Sequence, residues 1–454
     1  MRANADTIAA IATAPGRAGV GIVRVSGPLA ARVAEGIIGE RPAERQAVLR
    51  TFRDAAGGAL DIGVALWFSG PRSFTGDDVL ELHGHGGPVV LRSVLQRCVA
   101  LGARLAEPGE FTRRAFVNDR IDLAQAEAIA DLIDAASEQA VRGALRSLSG
   151  EFSAAIDRVA GALLDLRVLV EATLDFPEED GVDFLAESDA MQRLERVRGE
   201  LAGVFRAARQ GSALREGLVV VLAGAPNVGK SSLMNCLSGD EVAIVTEHPG
   251  TTRDTVRQTI VVEGLPVHLV DTAGLRDSDD PVEQLGMQRT RDALSRADLV
   301  LSVVAVDDST RGATFVSEVA ARALDALPAS VRRMQVVNKI DLSGESAKES
   351  EAEGEWTIRV SARTGEGLDL LRAALLRLGG LSESGEGAFL ARTRHLVALQ
   401  ETQAHLDAAA SGRLPADLLA EELRLAHEAL GSIVGQTTSD ALLGEIFGRF
   451  CIGK

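Results

Sequence analysis

Four short stretches in the middle of this 454-residue chain carry the residue types that phosphate chemistry needs, in the order it needs them. The first is Gly224-x-x-x-x-Gly229-Lys230-Ser231, which follows the apolar run LVVVL from Leu218 and opens an amphipathic stretch. A strand, a glycine-rich loop and a helix start make a phosphate cradle. Successive backbone N–H groups turn inward, and the helix N-terminus adds its positive dipole end. In such a cradle Lys230 reaches the β and γ phosphates and Ser231 holds Mg²⁺, with Asn227, Val228, Gly229 and Ser232 completing the loop. After two strand-like runs comes Asp271-Thr272-Ala273-Gly274, suited to an aspartate reaching Mg²⁺ through water and a glycine N–H sensing the γ phosphate. The strand-like RRMQVV delivers Asn338-Lys339-Ile340-Asp341. There a carboxylate can accept from the guanine N1–H and 2-amino group and so reject adenine. Ser361-Ala362-Arg363 ends a further strand where a backbone N–H can meet guanine O6. Order and spacing together specify a GTP-hydrolysing domain.

Two details bear on mechanism. Ras-like proteins place a water-orienting glutamine directly after the Asp-x-x-Gly element, whereas this chain has Leu275. Glu283, in the polar stretch RDSDDPVEQLG, is one candidate to orient the water, alongside Asp277, Asp279 and Asp280. The stretch Thr246-Glu247-His248-Pro249-Gly250-Thr251-Thr252 offers a threonine, Thr252, to complete the Mg²⁺ shell. The side-chain carbonyl of Asn227, with backbone carbonyls from this stretch, can hold a monovalent cation against the phosphates and supply the charge an arginine finger would. The other reading of Asn227 is a loop-capping asparagine.

These residues need a multidomain frame, because 454 residues exceed what one core organises. The phosphate motifs lie in an α/β segment, 217–378, of Ras-like P-loop type. Alanine- and leucine-rich stretches with helical spacing flank it at 119–216 and 379–454, as in one helical bundle interrupted by an insertion. Residues 1–118 alternate short apolar runs with glycine-rich turns and read as an α+β domain, in which His83 and His85 are expected in a turn rather than on a metal. The composition is that of a soluble chain, 46% hydrophobic and 25% charged, without a run long enough to span a membrane. Three scattered cysteines fit a reducing cytoplasm better than a disulfide scaffold. A net charge of −17 argues against tight, autonomous nucleic-acid binding. Only four lysines occur, and two of them, Lys230 and Lys339, sit inside the nucleotide motifs.

Whole-length signatures, among them GRAGVGIVRVSGP, SFTGDDVLELHGHGGP, EPGEFTRRAFVNDRIDLAQAEAIADLIDA, GAPNVGKSSLMN, PGTTRD, DTAGLR and the terminal FCIGK, resemble the MnmE (TrmE) family of tRNA modification GTPases. The resemblance implies a homodimer formed through the N-terminal domains, which bind a tetrahydrofolate one-carbon donor. It also implies an FAD-dependent partner, MnmG, joined in a heterotetramer that holds tRNA and modifies C5 of the wobble uridine. Potassium would promote G-domain pairing and hydrolysis. By motif, Asn227, Thr246, His248 and Thr251 match the family's K⁺ site, Ser231 and Thr252 its Mg²⁺ ligands, and Glu283 its catalytic glutamate. Arg24, Glu81, Arg120 and Lys454 match the folate contacts, Arg120 standing where lysine is common. The resemblance also implies that Cys451, in the tail, lies near that pocket. Gly453-Lys454 fit a prenylation box poorly, so the tail is expected to be positioned for function. The alternative reading is a GTP-driven switch that times assembly of ribosomes or tRNA factors, which would need no folate pocket.

Overall fold

The structure, a computed structural model, describes residues 6–175, 189–225, 227–238, 257–271, 297–306, 331–352, 355–379, 389–411, 414–436, 439–448, 450 and 452–453. The chain divides into two compact units: Met1–Ala130, Leu148–Glu195 and Ala404–Lys454 in one, Asp131–Ser147 and Arg196–Gln403 in the other.

The first unit is built on a six-stranded sheet: β1 (Ile8–Ile11), β2 (Ala18–Ser26), β3 (Val48–Arg53), β4 (Ala59–Phe68), β5 (Val79–Gly86) and β6 (Arg104–Leu105), in the order β3-β4-β5-β2-β1-β6. All neighbours are antiparallel except β1 and β6. The second half of β2 alternates buried and half-buried residues, as expected where one sheet face meets a core. That core, including Val23, Val25, Phe52, Trp67, Leu80 and Leu82, is shared with α1 (Ala30–Ile38) and α2 (Pro88–Ala100). Pro88 opens α2, where a missing N–H costs nothing. His83 and His85 therefore lie on strand β5 and not in a turn, because the pleat continues through Gly84 to Gly86. Helix α3 (Glu110–Val117) follows. The chain continues with α4 (Leu123–Asp134), whose end from Asp131 belongs to the second unit, and α5 (Glu138–Leu148), which belongs to the second unit up to Ser147. Helix α6 (Glu151–Asp175) is in the first unit, and α7 (Ala190–Glu216) belongs to the second unit from Arg196 onward.

In the second unit a seven-stranded sheet has the order β12-β13-β11-β10-β7-β9-β8. Its strands are β7 (Leu218–Ala223), β8 (Arg257–Val262), β9 (Leu265–Asp271), β10 (Leu299–Ala305), β11 (Arg332–Asn338), β12 (Lys348–Ala352) and β13 (Glu355–Arg359). The five inner strands are parallel, and the edges β8 and β12 run antiparallel. Strand β7 is apolar almost without alternation because successive side chains, which point to opposite faces of the sheet, are buried on both. Helices α8 (Lys230–Ser238) and α9 (Leu368–Leu378) pack on it.

After the α/β segment the chain forms α10 (Thr393–Ala409), α11 (Ala416–Val434) and α12 (Asp440–Gly448). Buried Leu423, Ala426, Leu430 and Ile433 make a stripe along α11, which lies against α6 within the first unit. The root of the α/β segment is held differently. Asp131 on α4 is buried and accepts from Arg215 Nε at 2.8 Å and Arg392 Nη2 at 2.8 Å. One carboxylate thus ties the place where the chain enters the α/β segment to the place where it returns. Among the described residues no helix is long and apolar enough to cross a membrane.

Candidate functional sites

The first site forms where β7, β11 and β13 end together, as parallel order requires. The loop after β7 depends on glycine twice. Gly224 has φ 153° and a Cβ there would lie 2.3 Å from the Val303 carbonyl oxygen. Gly229 has φ 97° and a Cβ there would lie 2.3 Å from Asn338 Nδ2. Asn227 between them takes φ 66°, a left-handed conformation that asparagine tolerates better than most residues. Its side chain is exposed, as are those of Ser231 and Ser232 in the first turn of α8, while Val228 is buried.

Both lysines of the motifs converge on this loop. Lys230 Nζ donates to the carbonyls of Gly224 at 2.7 Å and Ala225 at 3.2 Å. Lys339 Nζ donates to the Asn227 carbonyl at 2.8 Å. Behind them the buried Asn338 side chain links two loops: its Nδ2 donates to the Val228 carbonyl and its Oδ1 accepts from the Ala362 N–H, both at 2.9 Å. Asp341, half-buried just beyond Lys339 and Ile340, accepts from Ser361 Oγ at 2.7 Å, with Arg363 Nη1 at 3.7 Å from its other oxygen. This leaves the carboxylate oriented and partly desolvated, the state in which it discriminates best between donor patterns. Ser361 and Ala362 do not present free N–H groups: one donates to the Glu366 carbonyl and the other to Asn338. A contact from Ala362 to a base oxygen therefore has to be shared with Asn338, because the tight loop folds its own donors inward.

Asp271 ends β9, opposite Leu222 of β7, so its backbone lies beside the loop strand. Thr246, Glu247, His248, Pro249, Gly250, Thr251, Thr252, Thr272, Ala273, Gly274 and Glu283 lie outside the described residues, as do Cys451 and Lys454.

The second site is a cavity of about 300 Å³ in the first unit, lined in part by Arg24, Glu81, Arg120, Arg45, Arg72 and Phe74. Arg24 on β2 and Glu81 on β5 are directly paired across the sheet. Arg24 Nε and Nη2 both approach Glu81 Oε1, at 3.0 and 2.9 Å, while His83 Nε2 lies 3.1 Å from Oε2. The Arg24 guanidinium also stacks 5.9 Å from the Phe74 ring centre and 5.7 Å from that of Phe111. The loop carrying Phe74 is pinned by a buried Ser26–Thr75 hydroxyl pair at 2.7 Å and by Asn118 Nδ2 donating to the Thr75 carbonyl at 2.7 Å. Three of the four residues marked by family resemblance, Arg24, Glu81 and Arg120, therefore share one cavity. The sequence did not mark Arg45 or Arg72, and it suggested only a turn position for His83. Arg72 carries a faint signal, lying just before SFTGDD, whereas nothing local marks Arg45.

The described part of the tail packs against the same unit. Phe450 is buried in a cluster with Phe447 and Leu123, Ile452 bridges Pro108 in antiparallel fashion, and Gly453 is buried. Of the other thiols, Cys98 is buried, which pushes its pKa up to about 12 and makes it inert, and Cys236 Sγ donates to the Ala362 carbonyl at 3.0 Å. Among the described residues no cluster of metal-ligating side chains occurs.

Comparison with known proteins gives a consistent assignment. Residues 123–451 match the MnmE helical domain and residues 7–120 the GTP-binding protein TrmE N-terminus. The chain is 56% identical over 449 residues to the tRNA modification GTPase MnmE of Chromobacterium violaceum, across 99% of this chain and 98% of that one. It is 57% identical over 449 residues to that of Thiobacillus denitrificans, with the same coverage. It is 54% identical over 459 residues to that of Neisseria meningitidis serogroup C, across the whole of both. Full-length similarity at this level, together with two domain matches that account for both flanks of the α/β segment, means that the chain belongs to the MnmE (TrmE) family of tRNA modification GTPases.

Proposed function

We propose that the protein is a potassium-activated GTP hydrolase that acts with an FAD-dependent, MnmG-like partner. Together they install a carboxymethylaminomethyl or aminomethyl group at C5 of the wobble uridine of certain tRNAs, using a folate one-carbon unit. The observation that carries this reading is the presence, in one family member, of a loop-and-lysine cradle with an oriented Asp341 and a separate Arg24–Glu81–Arg120 cavity. A nucleotide switch needs only the first.

In the cradle, Asp341 accepts from the guanine N1–H and 2-amino group, and Ser361 holds that carboxylate in place. Lys230 exchanges the carbonyls of Gly224 and Ala225 for phosphate oxygens, which are stronger acceptors for an ammonium. The exposed Ser231 hydroxyl and Thr252 are the Mg²⁺ ligands, with Asp271 acting through water. The exposed Asn227, with Thr246, His248 and Thr251, is the K⁺ site. Bound there, these cations neutralise charge that develops on the transferring phosphoryl group. Glu283 orients the attacking water.

In the second cavity, Glu81 supplies acceptor oxygens for a pterin edge, and Arg24, Arg120 and Lys454 supply positive charge. Residues 1–118 form the folate and dimerisation domain, 119–216 and 379–454 the helical domain, and 217–378 the G domain. Cys451 in the tail is a residue on which the function depends. The working assembly is a homodimer joined to the flavoprotein as a heterotetramer that holds tRNA in the cytoplasm. Nucleoside mass spectrometry of tRNA from a strain lacking the gene, complemented with wild type or Cys451→Ser, tests the reading. Loss of the C5-modified wobble uridine and its restoration by wild type are expected, and an intact modification in the deletion strain would overturn the assignment.

A further inference from the structure

The second cavity carries more positive charge than its one carboxylate balances. Arg24, Arg45, Arg72 and Arg120 line it, against Glu81 alone. Both Glu81 oxygens are engaged, one by Arg24 and one by His83, so Arg24 is locally neutralised. The guanidinium groups of Arg72 and Arg120 have no polar partner among the described residues, and both side chains are exposed. Arg45 Nη2 donates to the Arg72 carbonyl, and its nearest carboxylate, Glu44, stands 3.8 Å away. Three cationic groups thus face one small cavity with most of their donors unspent.

Their placement follows from strand register. Arg24, Glu81 and Leu66 form one cross-strand row, and Ser26, Val79 and Phe68 form the next row on the same face, about 7 Å further along the sheet. Arg45 belongs to the second row. Its guanidinium lies over the Phe68 ring at 5.5 Å from the centre, and its backbone N–H donates to the Trp67 carbonyl at 2.8 Å. It adopts φ 57°, a left-handed conformation that costs an arginine energy and is maintained by these contacts. Stacking occupies the guanidinium face and leaves its edge, where the donors are, directed elsewhere. The acceptor of the cavity is therefore in one row, and the stacked cation, with its Arg72 neighbour, is displaced toward the next.

We propose that Arg45 and Arg72 form a subsite for the oligo-γ-glutamyl tail of a reduced folate, so that the cavity selects folates with several glutamyl residues over the monoglutamyl form. The proposal rests on the folate reading of the cavity. A volume of about 300 Å³ is at the lower end for small-molecule sites, so a folate whose pterin meets Glu81 extends its tail past the exposed arginines. A monoglutamyl folate has two carboxylates and each further γ-linked residue adds one. Longer tails thus engage charge that shorter ones leave unspent. With both arginines solvent-exposed, the advantage of a triglutamyl over a monoglutamyl tail is about tenfold in Kd at low salt, and it shrinks as ionic strength rises.

The test is calorimetric titration of the full-length protein with 5-formyltetrahydrofolate in its monoglutamyl and triglutamyl forms, on wild type, Arg72→Gln and the Arg45→Gln/Arg72→Gln double variant. The expected result is a ratio near ten for wild type, a smaller ratio for Arg72→Gln and a ratio near one for the double variant. Arg72→Gln alone keeps the test valid if the double variant does not fold. Equal affinity of wild type for both forms overturns the tail subsite and leaves folate binding standing. An unchanged ratio in the variants overturns its assignment to Arg45 and Arg72. Failure of wild type to bind either form overturns the folate reading and the subsite together.

Discussion

Replacing Asn338 with alanine should uncouple the nucleotide cradle without unfolding the sheet that carries it. Asn338 is 1% exposed, and its amide makes two hydrogen bonds at 2.9 Å, to the Val228 carbonyl and from the Ala362 N–H. Alanine removes both at once and leaves two backbone groups buried without their partner. Each orphan costs about 1–3 kcal/mol, of which partial relaxation recovers some, so the net cost is about 2–4 kcal/mol. Both orphans belong to loops at the strand ends, while β7, β11 and β13 remain anchored by their apolar interior. The cheapest relief is for the loops to part, and parted loops bind nucleotide poorly. At about 1.4 kcal/mol per decade, the Kd for GDP should rise roughly 30- to 1,000-fold. A fluorescent GDP analogue titrated against both proteins measures this, with far-ultraviolet circular dichroism as the control for folding. Asn338→Asp keeps the acceptor for Ala362 but sets a carboxylate oxygen against the Val228 carbonyl, so it should bind no better than the alanine variant. A change below threefold in Asn338→Ala, with an intact spectrum, would refute the reasoning, and wild-type affinity in Asn338→Asp would refute the contribution of the Val228 bond.

Other variants probe different parts of the chain. Asp341→Asn replaces an acceptor pair with one acceptor and one donor, which suits the C2 carbonyl of xanthine. GDP affinity should fall by about 100-fold or more while xanthosine diphosphate gains, and GDP affinity within threefold of wild type would contradict the assigned role. Asp131→Ala takes the shared buried carboxylate from Arg215 and Arg392, which are 31% and 16% exposed, so the cost is about 1–3 kcal/mol and not that of a fully buried pair. It should appear as faster deuterium exchange in residues 131–147 and 389–403, and unchanged exchange would show that the clasp contributes nothing. Burial by itself would raise the Glu110 carboxyl, but its bonds from Arg104, Arg114 and the Glu107 N–H outweigh this and hold it below the usual carboxylate range. Its stabilising contribution is therefore complete above the unfolded value and is lost as pH falls through the depressed one. Glu110→Gln should lower stability at neutral pH and flatten the acid limb of the stability profile, and a parallel, unflattened limb would remove Glu110 from the account.

Motifs that answer to an external ligand were readable because the ligand's chemistry dictates both type and spacing. Gly224, Gly229 and Lys230 must be near neighbours to wrap one phosphate group, and they announce themselves within eight residues. Apolar elements were equally open: β7 is a valine-rich run, β11 carries Val336 and Val337 up to Asn338, and α6 and α11 have helical spacing. What stayed hidden depends on pairing across the chain. Asp131 meets Arg215 and Arg392 at separations of 84 and 261 residues, and no local pattern marks any of the three. Arg45 is brought over Phe68 by register and by an unusual backbone angle, neither of which leaves a trace in composition. His83 and His85 read as turn residues because they flank Gly84, yet the strand runs through that glycine and the His83 ring meets Glu81.

The scarcity of lysine is where sequence and geometry meet most closely. In a chain that otherwise relies on arginine, Lys230 and Lys339 direct their ammonium groups at carbonyl oxygens of one loop, at Gly224, Ala225 and Asn227. Each target is a single carbonyl oxygen of the loop. A compact ammonium on a thin stem satisfies such a target, whereas a planar fork with five donors fixed in one plane is matched to paired acceptors and not to single oxygens. The arginines occupy the opposite niche. Arg24, Arg215 and Arg392 pair with carboxylates and Arg24, Arg45 and Arg377 lie over aromatic rings, contacts for which a flat cation is the better shape. It follows that Lys230→Arg should behave as a loss-of-function change while Arg120→Lys at the second cavity should be tolerated. The same exchange in opposite directions has unequal effects because one site demands a point charge and the other accepts either shape.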